Sequence, residues 1–258
     1  MLTRLTLLCA FSVALFLLIG CGNSKPQKVT MVPASGWDLS NPPVLSEDEL
    51  AVFVTLMKAK PEKLQPQFLP IETPTIPDYV TPQQLLSAQR RHLRARFDIG
   101  QQAILFSSHP SWKKLLAEQQ VEPEVFASLL LRVSCAVMSE QFSTNIDFSK
   151  QLLRIHERID VVVSELATLE ASLKQLPHES GRQERLRLQR QLTSLAALEL
   201  YAAMLNGVPA ESRQLIREHS KELVPLLKDW KKTFESVLAA GVEDGVVPVV
   251  GERDSVIR

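Results

Sequence analysis

The most regular hydrophobic pattern in the chain runs from residue 148 to residue 176. Apolar residues recur there at alternating steps of four and three, at Phe148, Leu152, Ile155, Ile159, Val162, Leu166, Leu169, Leu173 and Leu176. This spacing places the side chains on one face of an α-helix and makes four heptads of a coiled-coil seam. Leu153, Val161 and Val163 widen the stripe, which favours packing within a bundle over an isolated two-stranded coil.

A second long helix is predicted after a short break at residues 177–181. Asn206-Gly207 ends this helix. Its inward face carries Leu188, Leu192, Leu195, Leu198, Ala202 and Leu205. A short break between two long amphipathic helices predicts an antiparallel helical hairpin.

Two helices are predicted before this hairpin from their capping patterns. Ser46-Glu47-Asp48-Glu49 is a capping box, and it starts a helix that ends at Pro61. Thr81-Pro82 combines an N-cap residue with proline at the first helical position, and it starts a helix that reaches about Phe106. The apolar face of this second helix is predicted to contain Leu86, Leu93, Phe97 and Ile104.

The remaining helices are predicted from prolines and from the width of their apolar faces. Pro110 opens a short helix, and Pro123 opens a longer one. The segment from Val125 to Met138 is apolar nearly all round, which is typical of a helix at the centre of a bundle. A last helix is predicted over residues 210–240, bent where Pro225 removes a backbone donor.

These patterns predict an all-α protein, a bundle of six or seven helices over residues 46–241 with a long antiparallel, coiled-coil-like hairpin. Ten of the sixteen prolines lie between residues 22 and 82. We expect residues 21–45 to form a flexible tether, because prolines and polar residues dominate there. The strip at 61–82 carries large apolar side chains and is expected to pack on the domain, or else to serve as a proline-rich ligand. Residues 242–258 are expected to be a mobile tail.

The amino terminus has the layout of a secretory signal peptide. Arg4 supplies a positive charge, residues 5–19 are largely apolar, and the run ends in Leu18-Ile19-Gly20-Cys21. This tetrapeptide resembles the lipobox of bacterial prolipoproteins. The alternative is an uncleaved apolar helix with an incidental cysteine.

The resemblance implies a specific modification and location. The signal peptide would be residues 1–20, cut before Cys21, and the Cys21 sulfur would carry a diacylglyceryl group with an acylated new amino terminus. Such a protein is tethered to a membrane in the bacterial cell envelope and faces the periplasm or the exterior. Gly22-Asn23 follows the cysteine in place of an aspartate, which favours the outer membrane if the cell is Gram-negative.

Composition and charge narrow the possible functions. Hydrophobic residues make up 45% of the chain and charged residues 22%, as in ordinary globular proteins. The formal net charge is zero, and together with export this argues against a nucleic-acid partner. Once Cys9 leaves with the signal peptide and Cys21 is lipidated, Cys135 is the single remaining thiol. No intramolecular disulfide is then expected, and stability must come from packing.

A search for chemistry gives no catalytic, cofactor or metal residue. None of the five histidines has a glutamate three residues before it, and no zinc, redox or phosphate-loop motif is present. His156 and Asp160 lie one turn apart, but a surface pair is favoured over a metal site. Cys135 lies three residues from Arg132, yet it falls in the most apolar helix and is interpreted as a small core residue rather than a nucleophile.

Two arginine clusters stand out on the predicted helices. They are Arg90, Arg91, Arg94 and Arg96 in one helix and Arg182, Arg185, Arg187 and Arg190 in another. Arginine suits bidentate contacts with phosphate and carboxylate, so either cluster could contact anionic lipid head groups. The favoured alternative is a solvated helix face balanced by neighbouring acids.

Two functions are consistent with these features. The favoured one is a non-catalytic interaction or scaffold module, held at the membrane through Cys21 and bound to an envelope protein partner. The alternative is a ligand-binding or enzymatic domain whose site forms only in three dimensions. A deep pocket lined by several of Arg132, Glu140, His156 and Asp160 would favour this alternative.

Overall fold

The computed structural model describes residues 38–70, 81–142, 146–173 and 181–227, together with Lys232 and Glu235. Within these ranges the chain forms nine helices and no strand, so the all-α prediction is confirmed. The helices are α1 (Glu47–Ala59), α2 (Pro82–Ala95), α3 (Ile99–Ser108), α4 (Pro110–Glu118), α5 (Pro123–Phe142), α6 (Phe148–Leu173), α7 (Arg182–Asn206), α8 (Ala210–Glu218) and α9 (Ser220–Leu226).

Capping residues start the first two helices, as the sequence predicts. Ser46 Oγ accepts a hydrogen bond from the Glu49 backbone N–H at 3.2 Å, and the Glu49 side chain accepts one from the Ser46 backbone. Thr81 and Gln84 form the same reciprocal pair at the start of α2. These bonds satisfy donors that a helix leaves free in its first turn.

Helix α5 is the centre of the domain. Every residue from Ala127 to Ser139 is buried, and α5 packs against α1, α3, α4, α7, α8 and α9. By length and composition, α5 alone among the described helices could cross a membrane, but 78% of its most apolar stretch is buried inside the domain. Burial on all sides explains why its sequence shows no polar face.

Helices α6 and α7 run antiparallel along their whole described length. Ser149 near the start of α6 bonds to Asn206 at the end of α7, and His156 bonds to Glu199 further along. Near the other end, Glu170 lies 3.7 Å from Arg185. Residues later in α6 thus contact residues earlier in α7, as they do in an antiparallel pair. The segment 174–180 that joins them lies outside the described residues.

The predicted seam of α6 is buried in its first part. Phe148, Ile155, Ile159, Val162 and Leu166 are buried, whereas Leu152, Leu169 and Leu173 are half-buried. The six predicted inward residues of α7 are all buried. Leu153 and Val161 were expected to widen the buried stripe, but they are 65% and 44% exposed. Val163, the third residue expected to widen the stripe, is half-buried and packs on the core. Coiled-coil packing of the seam stays a prediction.

The described residues form more helices than the sequence predicts, because two predicted helices are broken. The helix expected to run from residue 81 to about 106 ends at Ala95, and Asp98 caps a new one by accepting from the Gln101 N–H at 2.7 Å. Ile104, expected on the buried face, is 60% exposed after this change of direction.

The second break lies at His219 and separates α8 from α9. The sequence predicts a bend at Pro225, but Pro225 lies inside α9. A proline disturbs the turn that precedes it, because its ring meets the carbonyl four residues earlier. The carbonyl four residues before Pro225 is that of Lys221 inside α9, so the proline does not account for the break at His219. Residues 228–231, 233–234 and 236–240 of the predicted helix lie outside the described part.

Residues 39–45, here called the strap, pack against the domain although the sequence assigns them to the tether. The Leu45 N–H donates to Ser212 Oγ of α8 at 2.9 Å, and Arg132 of α5 donates to the Val44 carbonyl. Gly207 leaves room for the strap, because a Cβ there would overlap the Ser40 carbonyl. Leu39, Pro42 and Leu45 supply apolar contact that the proline content masks in the sequence.

The described part of the proline-rich strip also packs on the domain. The Phe68 ring lies 5.7 Å from the Phe97 ring and 6.4 Å from the Phe106 ring. The buried Gln102 side chain accepts from the Leu69 N–H and donates to the Leu69 carbonyl, at 3.0 and 2.8 Å. One side-chain amide thus replaces the backbone partners that an irregular segment lacks. Residues 71–80 and the predicted tail at 242–258 lie outside the described residues.

Candidate functional site: a charged cleft between α2, α6 and α7

A cleft of about 320 Å³ opens where α2 crosses the α6–α7 pair. Arg90 and Arg94 line it from α2, where a spacing of four residues puts them on one face. Leu152 and His156 face it from α6 at the same spacing. The α7 side consists of Ala196, Glu199, Leu200 and Ala203. Residues from three helices therefore converge on one open space.

Glu199 is the electrostatic centre of the cleft. Arg90 donates two parallel hydrogen bonds to its carboxylate, Nε to Oε2 at 2.7 Å and Nη2 to Oε1 at 2.8 Å. His156 Nε2 lies 2.9 Å from the same Oε1. The Glu199 side chain is only 18% exposed, so this charge-assisted arrangement is partly shielded from water. The three side chains join α2, α6 and α7.

Arg94 adds a positive charge that Glu199 does not neutralise. Its side chain is exposed, and it forms no ion pair with any described residue. Asp38 is the acid that interacts with it at longer range. The pKa of Asp38 lies below its ordinary value, chiefly because the Ser40 backbone N–H donates to the carboxylate and in smaller part because Arg94 is near.

The rest of the cleft is apolar and made of small or flexible side chains. Leu152 and Leu200 form its walls, and Ala196 and Ala203 leave space that larger residues would fill. Two guanidinium groups beside apolar side chains suit a ligand that has an oxyanion group and a short apolar portion. The cleft therefore offers groups that can bind a ligand. Its imidazole, on His156, and its carboxylate, on Glu199, are hydrogen-bonded to each other.

A deep pocket shared by Arg132, Glu140, His156 and Asp160 would have favoured a ligand-binding domain, but the structure does not bring these four side chains together. Arg132 pairs with Glu49 in the core, and Glu140 pairs with Arg217 of α8 at 2.6 Å. His156 contacts Glu199, and Asp160 is exposed. Partners from other helices bind Arg132, Glu140 and His156, and a pattern within one helix cannot indicate such partners.

The described residues contain no group of three or more His, Cys, Asp or Glu side chains placed to hold a metal ion. His156 and Asp160, one turn apart on α6, were the pair considered for such a site. The imidazole of His156 is turned toward α7, where it contacts Glu199. A carboxylate hydrogen bond is thus the observed role of this histidine.

Cys135 is a core residue of α5. It is 6% exposed, and burial raises the pKa of its thiol from 9.0 to about 12. A thiol with this pKa is almost entirely protonated at neutral pH, and a protonated thiol is a poor nucleophile. Cys21, the predicted lipid site, lies outside the described residues.

The two arginine clusters have different surroundings. The first contributes Arg90 and Arg94 to the cleft, while Arg91 and Arg96 are exposed outside it. In the second, Arg187 pairs with Glu184 at 2.6 Å, and Arg185 lies 3.7 Å from Glu170. Neighbouring acids therefore balance Arg185 and Arg187 of the second cluster. In the first cluster, the arginine that pairs with an acid is Arg90.

Glu199 is the site residue that sequence reasoning missed. A signal for it was present, because a hairpin folded at residues 177–181 places His156 opposite a residue near 200. Glu199 is the acid at that position, and the face around it carries Ala196 and Ala203. Pairing the helices across the predicted turn would have brought His156 and Glu199 together.

Comparison with protein-family models, curated proteins and solved structures finds no match to this chain.

Proposed function

We propose that this protein is a lipid-anchored bacterial envelope protein whose helical domain acts as a non-catalytic interaction module. The observation that carries the proposal is the lipobox-like run Leu18-Ile19-Gly20-Cys21 after an apolar segment. Its acyl chains would anchor the protein, because each buried methylene contributes about 0.8 kcal/mol to membrane affinity. The domain would then work close to the bilayer or on a neighbouring envelope protein.

The strap supports a link between such an anchor and the domain. Hydrogen bonds from Leu45 to Ser212 and from Arg132 to Val44 fix the strap to α8 and α5. A tether that begins at a lipidated Cys21 would therefore enter the domain at one defined place. A pull or displacement at the membrane would be transmitted to the bundle through this attachment.

The outer side of α6 supports an interaction role. Leu153 and Val161 are 65% and 44% exposed and lie eight residues apart, about 12 Å along the helix. With Glu157 between them at four-residue spacing, they form one mixed ridge. Exposed apolar side chains next to charges suit a protein contact that must also remain soluble.

The anchor is tested by substituting Cys21. Palmitate labelling and intact mass should show acyl chains on the wild-type protein, and Cys21→Ser should leave an unlipidated or unprocessed species. Cys9→Ser, inside the predicted signal peptide, is the matched control and should be lipidated normally. Recovery of Cys21→Ser with the same lipid mass as the wild type would contradict the anchor.

The interaction role is tested by crosslinking in cells. A photo-crosslinking residue at position 153 or 161 should capture one dominant envelope protein from the ridge. Position 104 is the matched control, because Ile104 is 60% exposed on α3. Equal capture from all three positions, or none at saturating illumination, would contradict a specific contact on α6.

A ligand-binding role is the second candidate, and the charged cleft favours it. The cleft brings two arginines, a histidine and a glutamate to an open apolar space. A bound small molecule there would leave the ridge of α6 free. The two roles can therefore exist in the same protein.

A further inference from the structure

The cleft carries an excess of positive charge at a place shaped to hold a molecule. Glu199 is the one acid among the residues that line it with Arg90 and Arg94, so two guanidinium charges face one carboxylate. The two bonds to Glu199 use Nε and Nη2 of Arg90. The remaining edge of that guanidinium, with Nη1, donates no hydrogen bond to a described residue.

The shape of the cleft separates it from an ordinary charged helix face. Its volume of about 320 Å³ falls at the lower end of ligand pockets, which run from about 300 to 1,000 Å³. Ala196 and Ala203 keep the space open between α2 and α7. Arg91 and Arg96 belong to the same basic segment but do not line this space.

We infer that the cleft binds a small organic anion. Its carboxylate or phosphate contacts Arg94 and the free edge of Arg90, and its short apolar portion lies on Leu152, Ala196 and Ala203. Arginine matches both oxyanions because its N–H groups form a planar fork. The inference does not depend on lipid anchorage through Cys21.

Glu199 sets the strength of this site. Its carboxylate holds Arg90 and His156 in position, but its negative charge also opposes an incoming anion. Glu199→Gln removes this charge and keeps the size of the side chain, although its amide offers Arg90 one acceptor oxygen where the carboxylate offers two. The loss of negative charge should therefore strengthen anion binding. Removing Arg94 should weaken it, because the ligand then loses the cation that no described acid neutralises at contact distance.

Titration calorimetry with the full-length protein in neutral detergent tests the site. Hexyl phosphate and hexanoate are the probes, and hexanol is the uncharged control. We expect binding of at least one anionic probe in the micromolar to millimolar range and no binding of hexanol. Absence of heat with both anions at about ten millimolar would overturn the inference.

Four variants identify the residues involved. Arg94→Ala should weaken probe binding about tenfold or more, as loss of a charge-assisted contact does. Arg91→Ala, on the same helix but outside the cleft, should leave it unchanged. Glu199→Gln should strengthen binding severalfold, and Ala203→Leu should abolish it by filling the space. Equal losses from Arg91→Ala and Arg94→Ala would show general charge attraction and overturn a defined site.

A competition experiment distinguishes a lipid head group from a free anion as the source of the ligand. Phosphatidylglycerol added to the detergent micelles should displace hexyl phosphate if the cleft takes lipid head groups. Displacement by glycerol phosphate but not by the lipid would assign a free organic anion. Either result supports the site. Failure of both to displace a probe that binds would overturn its assignment as a phosphate site. Melting temperatures of all four variants control for unfolding.

Discussion

The guanidinium of Arg132 and the carboxylate of Glu49 form a buried ion pair that joins the start of α1 to the central helix α5. Arg132 Nη2 lies 2.5 Å from Glu49 Oε1, and both side chains are 2% exposed. The second carboxylate oxygen accepts from the Ser46 N–H, and Arg132 also donates to the Val44 carbonyl. The capping box and the strap are thus fixed to the core by one pair of charges.

Removing one partner of this pair should destabilise the protein strongly. Glu49→Ala leaves Arg132 charged and buried without its counter-ion, and we expect a loss of about 3–5 kcal/mol in unfolding free energy. The measurement is denaturant unfolding followed by circular dichroism. Glu47→Ala, an exposed acid in the same helical turn, should cost less than about 1 kcal/mol.

The double variant tests whether the charge itself is needed. Glu49→Leu with Arg132→Met replaces the pair by apolar side chains, and we expect it to be more stable than Glu49→Ala alone. A double variant no more stable than Glu49→Ala would indicate that the hydrogen bonds to Ser46 and Val44 dominate. Adding the single variants Glu49→Leu and Arg132→Met completes a double-mutant cycle, which gives the coupling energy between the two positions.

The sequence predicts this region only in part, and the reason is physical. The capping box at Ser46 and Glu49 involves residues three apart, so its signal is local. The partner of Glu49 is Arg132, 83 positions away. The choice among the chain's 29 basic residues depends on how α1 packs on α5, which no local pattern specifies.

The same distinction holds across the fold and the cleft. The uniformly apolar segment of α5 and the inward leucines of α7 were predictable, because the spacing of apolar residues indicates which positions are buried. The break at Asp98 was not predictable, because the same spacing of apolar residues fits either one straight helix or two helices separated by a cap. His156 and Arg90 were visible as candidates, but their meeting at Glu199 required the tertiary arrangement of three helices.

A glycine at the end of α7 controls the position of the strap. A Cβ at Gly207 would overlap the backbone carbonyl of Ser40, so Gly207→Ala should displace the strap and cost about 1–3 kcal/mol. Gly100→Ala is the control, because its Cβ would meet only Asp98 Oδ1 at an ordinary 3.5 Å. This control should be neutral or stabilise α3 by up to about 1 kcal/mol.

Hydrogen exchange locates the effect of Gly207→Ala. Faster exchange of the Leu45 amide, which donates to Ser212, is expected in that variant and not in Gly100→Ala. Unchanged exchange at Leu45 together with unchanged stability would contradict the close approach of the strap to Gly207.

The buried seam of α6 can be tested at a single leucine. Leu166 is 1% exposed, so Leu166→Asp places a charge in the interface between α6 and α7. We expect a loss of about 4 kcal/mol or more, enough to unfold the hairpin in a protein of ordinary stability. Leu153→Asp introduces the same charge on the same helix at a position that is 65% exposed, and it should change stability by less than about 0.5 kcal/mol. Similar melting temperatures for the two variants would contradict the assignment of the faces.

Cys135 should make the protein less stable at alkaline pH. Its thiol has a pKa raised from 9.0 to about 12 by burial, so the folded state keeps a proton that the unfolded state releases above pH 9. Stability from this group is therefore complete below pH 9 and is lost as pH rises toward 12. By pH 10 the loss should reach about 1.4 kcal/mol.

Cys135→Ala isolates this contribution, because the variant lacks the thiol but keeps the other titrating groups, including Tyr201. The pKa of Tyr201 is raised mainly by burial and in smallest part by Cys135, so most of its effect at high pH is common to both proteins. Unfolding free energies measured from pH 7.5 to pH 10 should fall more steeply for the wild type than for the variant. The absolute cost of removing the sulfur cancels in that comparison of slopes. Parallel curves would mean that the Cys135 thiol ionises as easily in the folded protein as in the unfolded chain, and that α5 admits solvent at this position.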